Sequence, residues 1–115
     1  MERKRILVGI SGASGIPVAA EVLKGLREAG TEIHLMISRG GEMAVRQESA
    51  GSLEEIRNLA DQVYDNGNIG AAPASGSFQN MGMIIVPCSM KTLAGIHCGY
   101  SDSLLLRAAD VILKE

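Results

Sequence analysis

The first stretch that could do chemistry is GISGASGIP, residues 9–17, where glycines and serines follow a short apolar run. Gly9, Gly12 and Gly15 have the spacing G-x-x-G-x-x-G, whereas a dinucleotide-binding turn has G-x-G-x-x-G. A dinucleotide site also needs an acidic residue at the end of the second strand, and the second apolar run ends in ISR, residues 37–39. Both departures argue against a dinucleotide.

The same turn still has the donors that an anion needs. A glycine-rich turn before a helix presents backbone amides and a positive helix N-terminus, and Ser11 and Ser14 add hydroxyl donors. It therefore predicts a site for one phosphate group or for the edge of a flavin. The alternative is a tight turn whose glycines serve packing alone.

Two later stretches have a similar character. PCSMKT, residues 87–92, ends an apolar run and opens a helix with hydroxyl groups, and PASGSF, residues 73–78, is small and hydroxyl-rich. Ligands of doubly wound sheets bind at the carboxyl ends of the strands, so donor-rich turns on adjacent strands are expected to share one ligand. Taken alone, the first is also explained by an ordinary capped helix and the second by a surface loop.

Strands that alternate with helices must position these turns. Buried strands are predicted over Arg5–Ile10, Thr31–Ser38 and Gly82–Cys88. Helices are predicted between Pro17 and Gly30, around Glu42–Gln47, from a capping box at Ser52–Glu55 through Val63, over Met90–Ile96, and from Ser101 or Asp102 onward. Residues 65–80 are expected to be loop.

Strands that are apolar throughout indicate a parallel sheet covered on both faces. We therefore predict an α/β fold of three layers, with a Rossmann-like or flavodoxin-like parallel sheet between helices. It forms a single domain over residues 1–115. Because the chain ends on a helix after three predicted strands, we also expect the C-terminal part of this fold to be missing.

Composition narrows the class of protein further. Of the 115 residues, 46% are hydrophobic and 21% charged, and the net charge of −2 argues against nucleic acid as the main partner. No apolar stretch approaches the ~20 residues that span a membrane. Cys88 and Cys98 have neither a disulfide framework nor a zinc-site spacing, and we expect them to be buried thiols of a cytoplasmic protein.

Four separated segments, in this order and with matching gaps, resemble the UbiX-type flavin prenyltransferases: GISGASG, MIS, ASGSF and PCSMKTLAGI followed by GYSDSLLLRAADVILKE. The resemblance implies the flavin-binding decarboxylase-like fold, with FMN as cofactor and no metal. It implies that a dimethylallyl group passes from dimethylallyl monophosphate to N5 and then C6 of reduced FMN, and that a separate decarboxylase uses the product. It also implies a homo-oligomer, from trimer to dodecamer, with the flavin between subunits.

The resemblance also implies roles for individual residues. The flavin contacts are Gly12, Ala13, Ser14, Ser38, Ser89, Met90, Lys91 and Thr92. Ser14 and Glu48 are implied in proton handling, while Ser75, Gly76, Arg107 and Lys114 match residues near the substrate phosphate. Basic residues suit that place because the departing phosphate needs positive charge.

Several alternatives stay open. Arg107 could belong to a solvated helix face, Lys114 could serve the negative end of its helix, and Glu48 could be plain surface. For the whole chain, one alternative is an FMN-dependent decarboxylase of the cysteine type. Those relatives carry an asparagine after the P-x-S turn and a catalytic histidine after the second strand, whereas here Met90 and Lys91 follow Ser89 and no histidine follows the second strand before His97. The other alternative is a flavin-binding remnant without catalysis.

Overall fold

Within residues 3–48 and 52–114, which the computed structural model describes, the chain forms one parallel sheet of four strands. The strands are β1 (Arg5–Ile10), β2 (Glu32–Ile37), β3 (Gln62–Tyr64) and β4 (Met83–Ile85). Their order across the sheet is β3-β2-β1-β4, with every pair parallel. The central strands β1 and β2 are buried along almost their whole lengths, as their apolar sequences predict.

Helices cover both faces of this sheet. They are α1 (Ile16–Glu28), α2 (Arg39–Glu48), α3 (Leu53–Asn58), α4 (Met90–Cys98) and α5 (Leu104–Lys114), with a short 3₁₀ turn over Ala72–Ala74. The predicted three-layer α/β fold with a parallel sheet is therefore confirmed. In the described part of the chain, no helix is long and apolar enough to cross a membrane.

Two hydrophobic cores form because neighbouring residues of a strand point to opposite faces. On one face, Val8 and Leu35 pack with Leu23 of α1 and with residues of α2 and α3. On the other face, Leu7 and Met36 pack with α5, chiefly through Leu104, Leu105 and Ala108. Each fully buried leucine of this kind contributes about 1.5–3 kcal/mol of burial free energy.

The third helix is shorter than its sequence pattern predicts. A helix through Val63 was expected, but α3 ends at Asn58, and Val63 lies in β3 with 37% of its surface exposed. The reason is a pairing with the sheet: the Asp61 amide donates to the Ile33 carbonyl at 3.0 Å, and the Ile33 amide donates to the Asp61 carboxylate at 2.8 Å. These bonds place the chain beside β2, so the residues that follow form the strand β3 instead of another turn of helix.

The last strand is shorter and less buried than predicted. The apolar run Gly82–Cys88 yields a strand over Met83–Ile85, and its side chains are half-buried because, among the strands that the structure describes, β4 pairs with β1 alone. The backbone pairing with β1 ends at the bond from the Ser11 amide to the Pro87 carbonyl at 3.1 Å, and the chain then turns into the next helix.

Further expectations about burial and capping are also corrected. Cys88 and Cys98 are exposed rather than buried. The amino end of α5 is capped by Ser103, not by Ser101 or Asp102, because the Ser103 hydroxyl accepts from the Leu106 amide at 3.3 Å.

Candidate functional site

A cleft of about 950 Å³ opens at the carboxyl ends of the four described strands. Segments that follow each strand line it, as the doubly wound arrangement predicts. Five residues that the sequence singled out lie along it: Gly12, Ser38, Ser89, Lys91 and Thr92. Ala13, Ser14 and Met90 are their chain neighbours, outside the residues that line the cleft in the described part of the structure.

The turn between β1 and α1 is held by the carboxylate of Glu48. Gly15 precedes α1 with φ of 117°, a conformation that favours glycine. Its amide donates to Oε1 of Glu48 at 3.1 Å, and Oε2 lies 3.5 Å away. Glu48, at the end of α2, therefore lies over the amino end of α1, beside Gly15, which follows Ser14 in the chain. The two residues implied in proton handling belong to one corner of the fold.

Glycines allow two turns of the cleft to touch backbone to backbone. A Cβ atom on Gly12 would lie 2.9 Å from the carbonyl carbon of Gly40, and one on Gly41 would lie 2.5 Å from the carbonyl oxygen of Ile10. Both distances are shorter than real Cβ contacts, so α2 begins this close to β1 because glycine stands at these positions. The pair GG in SRGGE was the sequence signal, and the sequence analysis missed it.

Serine hydroxyls cap the helices that begin at the cleft. The Ser38 hydroxyl accepts from the Gly41 amide at 3.0 Å and so caps α2. The Ser89 hydroxyl accepts from the Thr92 amide at 3.1 Å and donates to the Thr92 hydroxyl at 3.0 Å, which caps α4. The amino ends of α1, α2 and α4 thus point towards the same end of the sheet, where their partial positive charges favour an anion.

Ser11 is not the ligand donor that the sequence predicts. Its side chain is fully buried, and its hydroxyl donates to the Pro87 carbonyl at 3.0 Å. The same oxygen accepts from the Ser89 amide at 2.7 Å. The hydroxyl therefore joins two turns of the protein and is not available to a ligand in the cleft.

The residues expected near a substrate phosphate lie elsewhere. Ser75 and Gly76 line a smaller groove of about 520 Å³, between the PASGSF loop and α5. Arg107 and Lys114 are exposed on α5, where Nζ of Lys114 lies 2.9 Å from the carboxylate of Asp110. Among the described residues that line the larger cleft, none of these four occurs.

Other residues of the cleft were missed by the sequence analysis. Arg39 and Arg57 bring positive charge to its wall. The Arg57 guanidinium also forms an ion pair with the Glu42 carboxylate, at 3.5 Å. Asn66 adds to the Ser103 cap of α5, because its side-chain oxygen accepts from the Leu105 amide at 2.8 Å. Arg39 follows Ser38 directly and could have been inferred, whereas the loop DNGN, residues 65–68, carries an ordinary turn signal.

The residues present fit a flavin with a phosphate group. The N-termini of α2 and α4, capped by Ser38 and Ser89, and the Lys91 ammonium suit the anion. Apolar side chains on the walls, such as Ile37, Leu105 and Leu106, suit a flat ring. A cleft of about 950 Å³ also falls in the ordinary range for small-molecule sites.

Comparison with known proteins identifies the family. The whole chain, residues 1–115, matches the profile of the Flavoprotein family. The flavin prenyltransferase UbiX of Neisseria meningitidis serogroup B is 50% identical to this chain over 112 residues, which cover 97% of the chain and 59% of that relative. The chain thus spans about three-fifths of the length of the curated relatives it matches.

Solved structures agree with this relationship. The crystal structure of AnUbiX (PadA1) in complex with FMN and dimethylallyl pyrophosphate matches with a TM-score of 0.97 and 45% identity, over 99% of this chain and 61% of that one. A dodecameric FMN-dependent UbiX-like decarboxylase from Escherichia coli O157:H7 matches with a TM-score of 0.93 and 44% identity, over 96% and 61% of the two chains. The chain belongs to the Flavoprotein family, and it is similar to the UbiX-type flavin prenyltransferases over almost its entire length.

Proposed function

We propose that this chain forms an FMN-binding α/β domain of a flavin prenyltransferase, which transfers a dimethylallyl group from dimethylallyl monophosphate to reduced FMN. One observation carries the proposal: donor-rich turns converge on one cleft in a fold that matches, at a TM-score of 0.97, a relative crystallised with FMN and dimethylallyl pyrophosphate. Because the chain spans 59% of its curated relative, the activity of the whole protein is part of the proposal.

In this proposal the cleft binds the cofactor through the turns already described. FMN is held by three parts of the chain: the turn of Gly12, Ala13 and Ser14, the capping residue Ser38, and the segment Ser89–Thr92. When bound in its reduced form, FMN supplies the nucleophilic ring atoms that receive the dimethylallyl group. The residues of the chain fix its position and exclude water from the reacting face.

We assign proton handling to Glu48 and Ser14. The Gly15 amide orients the Glu48 carboxylate through one hydrogen bond at 3.1 Å, so the carboxylate is held at the corner where Ser14 lies. A carboxylate fixed in this way can accept a proton and return it without first changing its conformation. The Ser14 hydroxyl, one residue before Gly15, provides a short path for that proton.

The substrate phosphate is assigned to Ser75, Gly76, Arg107 and Lys114 of a neighbouring copy. Support comes from their position, since Ser75 and Gly76 line a separate groove of this copy and the two basic residues are exposed on α5. A homo-oligomer would bring them to an adjacent cleft. The dodecameric relative and the exposed Met90, Leu93 and Tyr100 around α4 support such an assembly.

The test is a reaction with defined components. The full chain is incubated without oxygen with reduced FMN and either dimethylallyl monophosphate or dimethylallyl pyrophosphate, and the flavin is analysed by mass spectrometry. A flavin heavier by one dimethylallyl group supports the proposal. Binding of FMN without this product favours a flavin-binding protein without catalysis, and decarboxylation of a peptidyl-cysteine substrate favours the cysteine-type decarboxylase.

We further propose a separate decarboxylase as the consumer of the product, and the cytoplasm as the location. The first is tested by adding the filtered product to the apo form of an aromatic acid decarboxylase, which should become active. The exposed free thiols Cys88 and Cys98 support the second, because reducing compartments keep exposed thiols free. Cell fractionation with an antibody against the chain tests it.

A further inference from the structure

Ser11 is a buried polar group that the proposed reaction does not use. It lies outside the residues that line the cleft in the described part of the structure, yet it connects two of the turns that form it. We propose that Ser11 is a positioning residue, whose hydroxyl fixes the α4 turn against the α1 turn so that both reach the same FMN. This inference rests on the proposed function.

The argument starts from the end of the β1–β4 pair. The last ladder contacts are the Val86 amide on the Gly9 carbonyl at 2.9 Å and the Ser11 amide on the Pro87 carbonyl at 3.1 Å. After these contacts, the next bond between the two segments comes from the amide of Ser89.

That next bond is supplied by the side chain of Ser11. The Ser89 amide lies 2.7 Å from the Ser11 hydroxyl and donates to it, whereas the Ser11 carbonyl accepts from the Ala13 amide at 3.0 Å. The hydroxyl thus replaces a ladder contact beyond the end of the strand. It holds the residue that caps α4 and, through it, Lys91 and Thr92 on the cleft wall.

Replacing Ser11 with alanine removes one buried oxygen, which is the acceptor of the Ser89 amide and a donor to the Pro87 carbonyl. The Ser89 amide is partly buried, and leaving it without a partner is unfavourable, so the turn moves until water or another group reaches it. The α4 turn would then shift relative to Gly12 and Ser14 in the α1 turn. We expect the FMN dissociation constant to rise about tenfold, with a changed circular dichroism band of the bound flavin.

Ser52→Ala is the matched control. It also removes a serine hydroxyl that accepts from a backbone amide, that of Glu55 at 3.1 Å, but it lies at α3 and is not among the residues that line the cleft. FMN binding is titrated by flavin fluorescence for the wild type, Ser11→Ala and Ser52→Ala, at a temperature where all three are folded. Ser52→Ala should lower the melting temperature and leave the dissociation constant unchanged.

The outcomes separate the two proposals. If the wild type binds no FMN, the proposed function fails, and this inference fails with it. If the wild type binds FMN and Ser11→Ala binds it equally well with an unchanged flavin spectrum, the positioning role alone is overturned. Equal weakening in Ser52→Ala would also overturn it, since loss of stability would then explain the effect. If Ser11→Ala does not fold, Ser11→Cys, with its weaker hydrogen bonds, must weaken FMN binding or the inference is wrong.

Discussion

The two ends of the sheet differ in how they use polar groups. At the carboxyl end, the cleft is formed by backbone amides, serine hydroxyls and glycines that let turns touch, as Gly12 and Gly40 do. At the amino end, charged side chains bind one another. Arg5 lies 3.1 Å from Glu32, and Arg3 lies 3.0 Å from Asp61.

A histidine lies at the centre of the amino-end network. Buried His34 has Nε2 at 2.6 Å from the Glu32 carboxylate and Nδ1 at 2.8 Å from the Tyr64 hydroxyl, and Phe78 packs edge-on against its ring. The hydrogen bond with His34 holds the pKa of Glu32 below its usual value, with further help from the charges of His34, Arg5 and Arg3. Burial raises the pKa of Tyr64.

The difference follows from the direction of the strands. All strands are parallel, so the helices that follow them begin at the carboxyl end and point their positive N-termini there. The amino end has no such field from helix N-termini in the described part of the fold, and its charges are satisfied by side-chain pairs. The same strands therefore present a surface for an anion at one end and a self-contained network that supports stability at the other.

The largest effect is expected for Glu48→Gln at the carboxyl end. Glutamine keeps the shape and can still accept from the Gly15 amide, but it cannot take a proton. We expect the rate of prenyl transfer to fall about 10²- to 10⁴-fold, with a much smaller change in FMN affinity. Product formation measured by mass spectrometry, with Glu54→Gln on the exposed side of α3 as the control, checks this. An unchanged rate would remove Glu48 from the proposed chemistry.

Gly12→Ala should weaken FMN binding about tenfold to a hundredfold. The new Cβ atom would lie 2.9 Å from the backbone of Gly40 and force the two turns apart. Gly25→Ala is the control, because a Cβ atom on Gly25 meets nothing within 4 Å. A fluorescence titration with FMN distinguishes them, and equal affinities for both variants would show that the close approach of these turns does not matter for binding.

Acid should reduce the stabilisation that the charged side chains at the amino end of the sheet provide. The pKa of Asp61 is lowered: burial alone would raise it, but the hydrogen bond from Ile33 and the charge of Arg3 outweigh burial. Since the folded pKa values of Glu32 and Asp61 lie below the unfolded ones, their stabilisation is present above the unfolded values and is lost as the pH falls through the folded ones.

The measurement is urea unfolding from about pH 6 down to about pH 3. We expect the free energy of unfolding to decrease over this range by about 1 kcal/mol or less from these partly exposed groups. A Glu32→Gln, Asp61→Asn double variant should show a flatter dependence on pH and an unchanged FMN affinity at neutral pH. The same slope in the variant would assign the acid sensitivity to other groups.

The smallest effect on stability is expected at Lys114. Its pair with Asp110, four residues earlier in α5, contributes about 0.3–0.5 kcal/mol in an exposed helix. Lys114→Met should lower the free energy of unfolding by no more than this, while the KM for dimethylallyl monophosphate rises about threefold, as expected for one solvent-exposed charge. Lys24→Met, which removes a similar pair with Glu21 in α1, is the control. Equal KM values in both variants would show that Lys114 forms its ion pair with Asp110 but does not contribute to binding the substrate phosphate.

The parts of the fold that the sequence predicted are those with a local signal. The apolar strands β1 and β2, Pro17 at the start of α1 and the Ser52 cap of α3 were all readable, and each is observed. The strand β3 was not, because QVY is three residues long and forms through the distant pairing of Asp61 with Ile33. Nothing in its own sequence distinguishes it from the end of a helix.

The candidate site was predictable in the same partial way. The turns at Gly12, Ser38 and Ser89 were identified from sequence, and the structure brings them to one cleft. The bonds that hold these turns together were missed, because they join residues far apart in the chain. Ser11 and Ser89 are 78 residues apart, and the sequence gives no sign that the buried hydroxyl binds protein rather than ligand.

A crystal structure of the full chain grown with FMN tests the central claim most directly. We predict flavin density in the cleft at the carboxyl ends of the strands, with its phosphate at the helix N-termini and contacts to Gly12, Ser38 and Ser89–Thr92. Flavin bound at the amino end of the sheet, among Arg3, Arg5 and Glu32, would contradict the account.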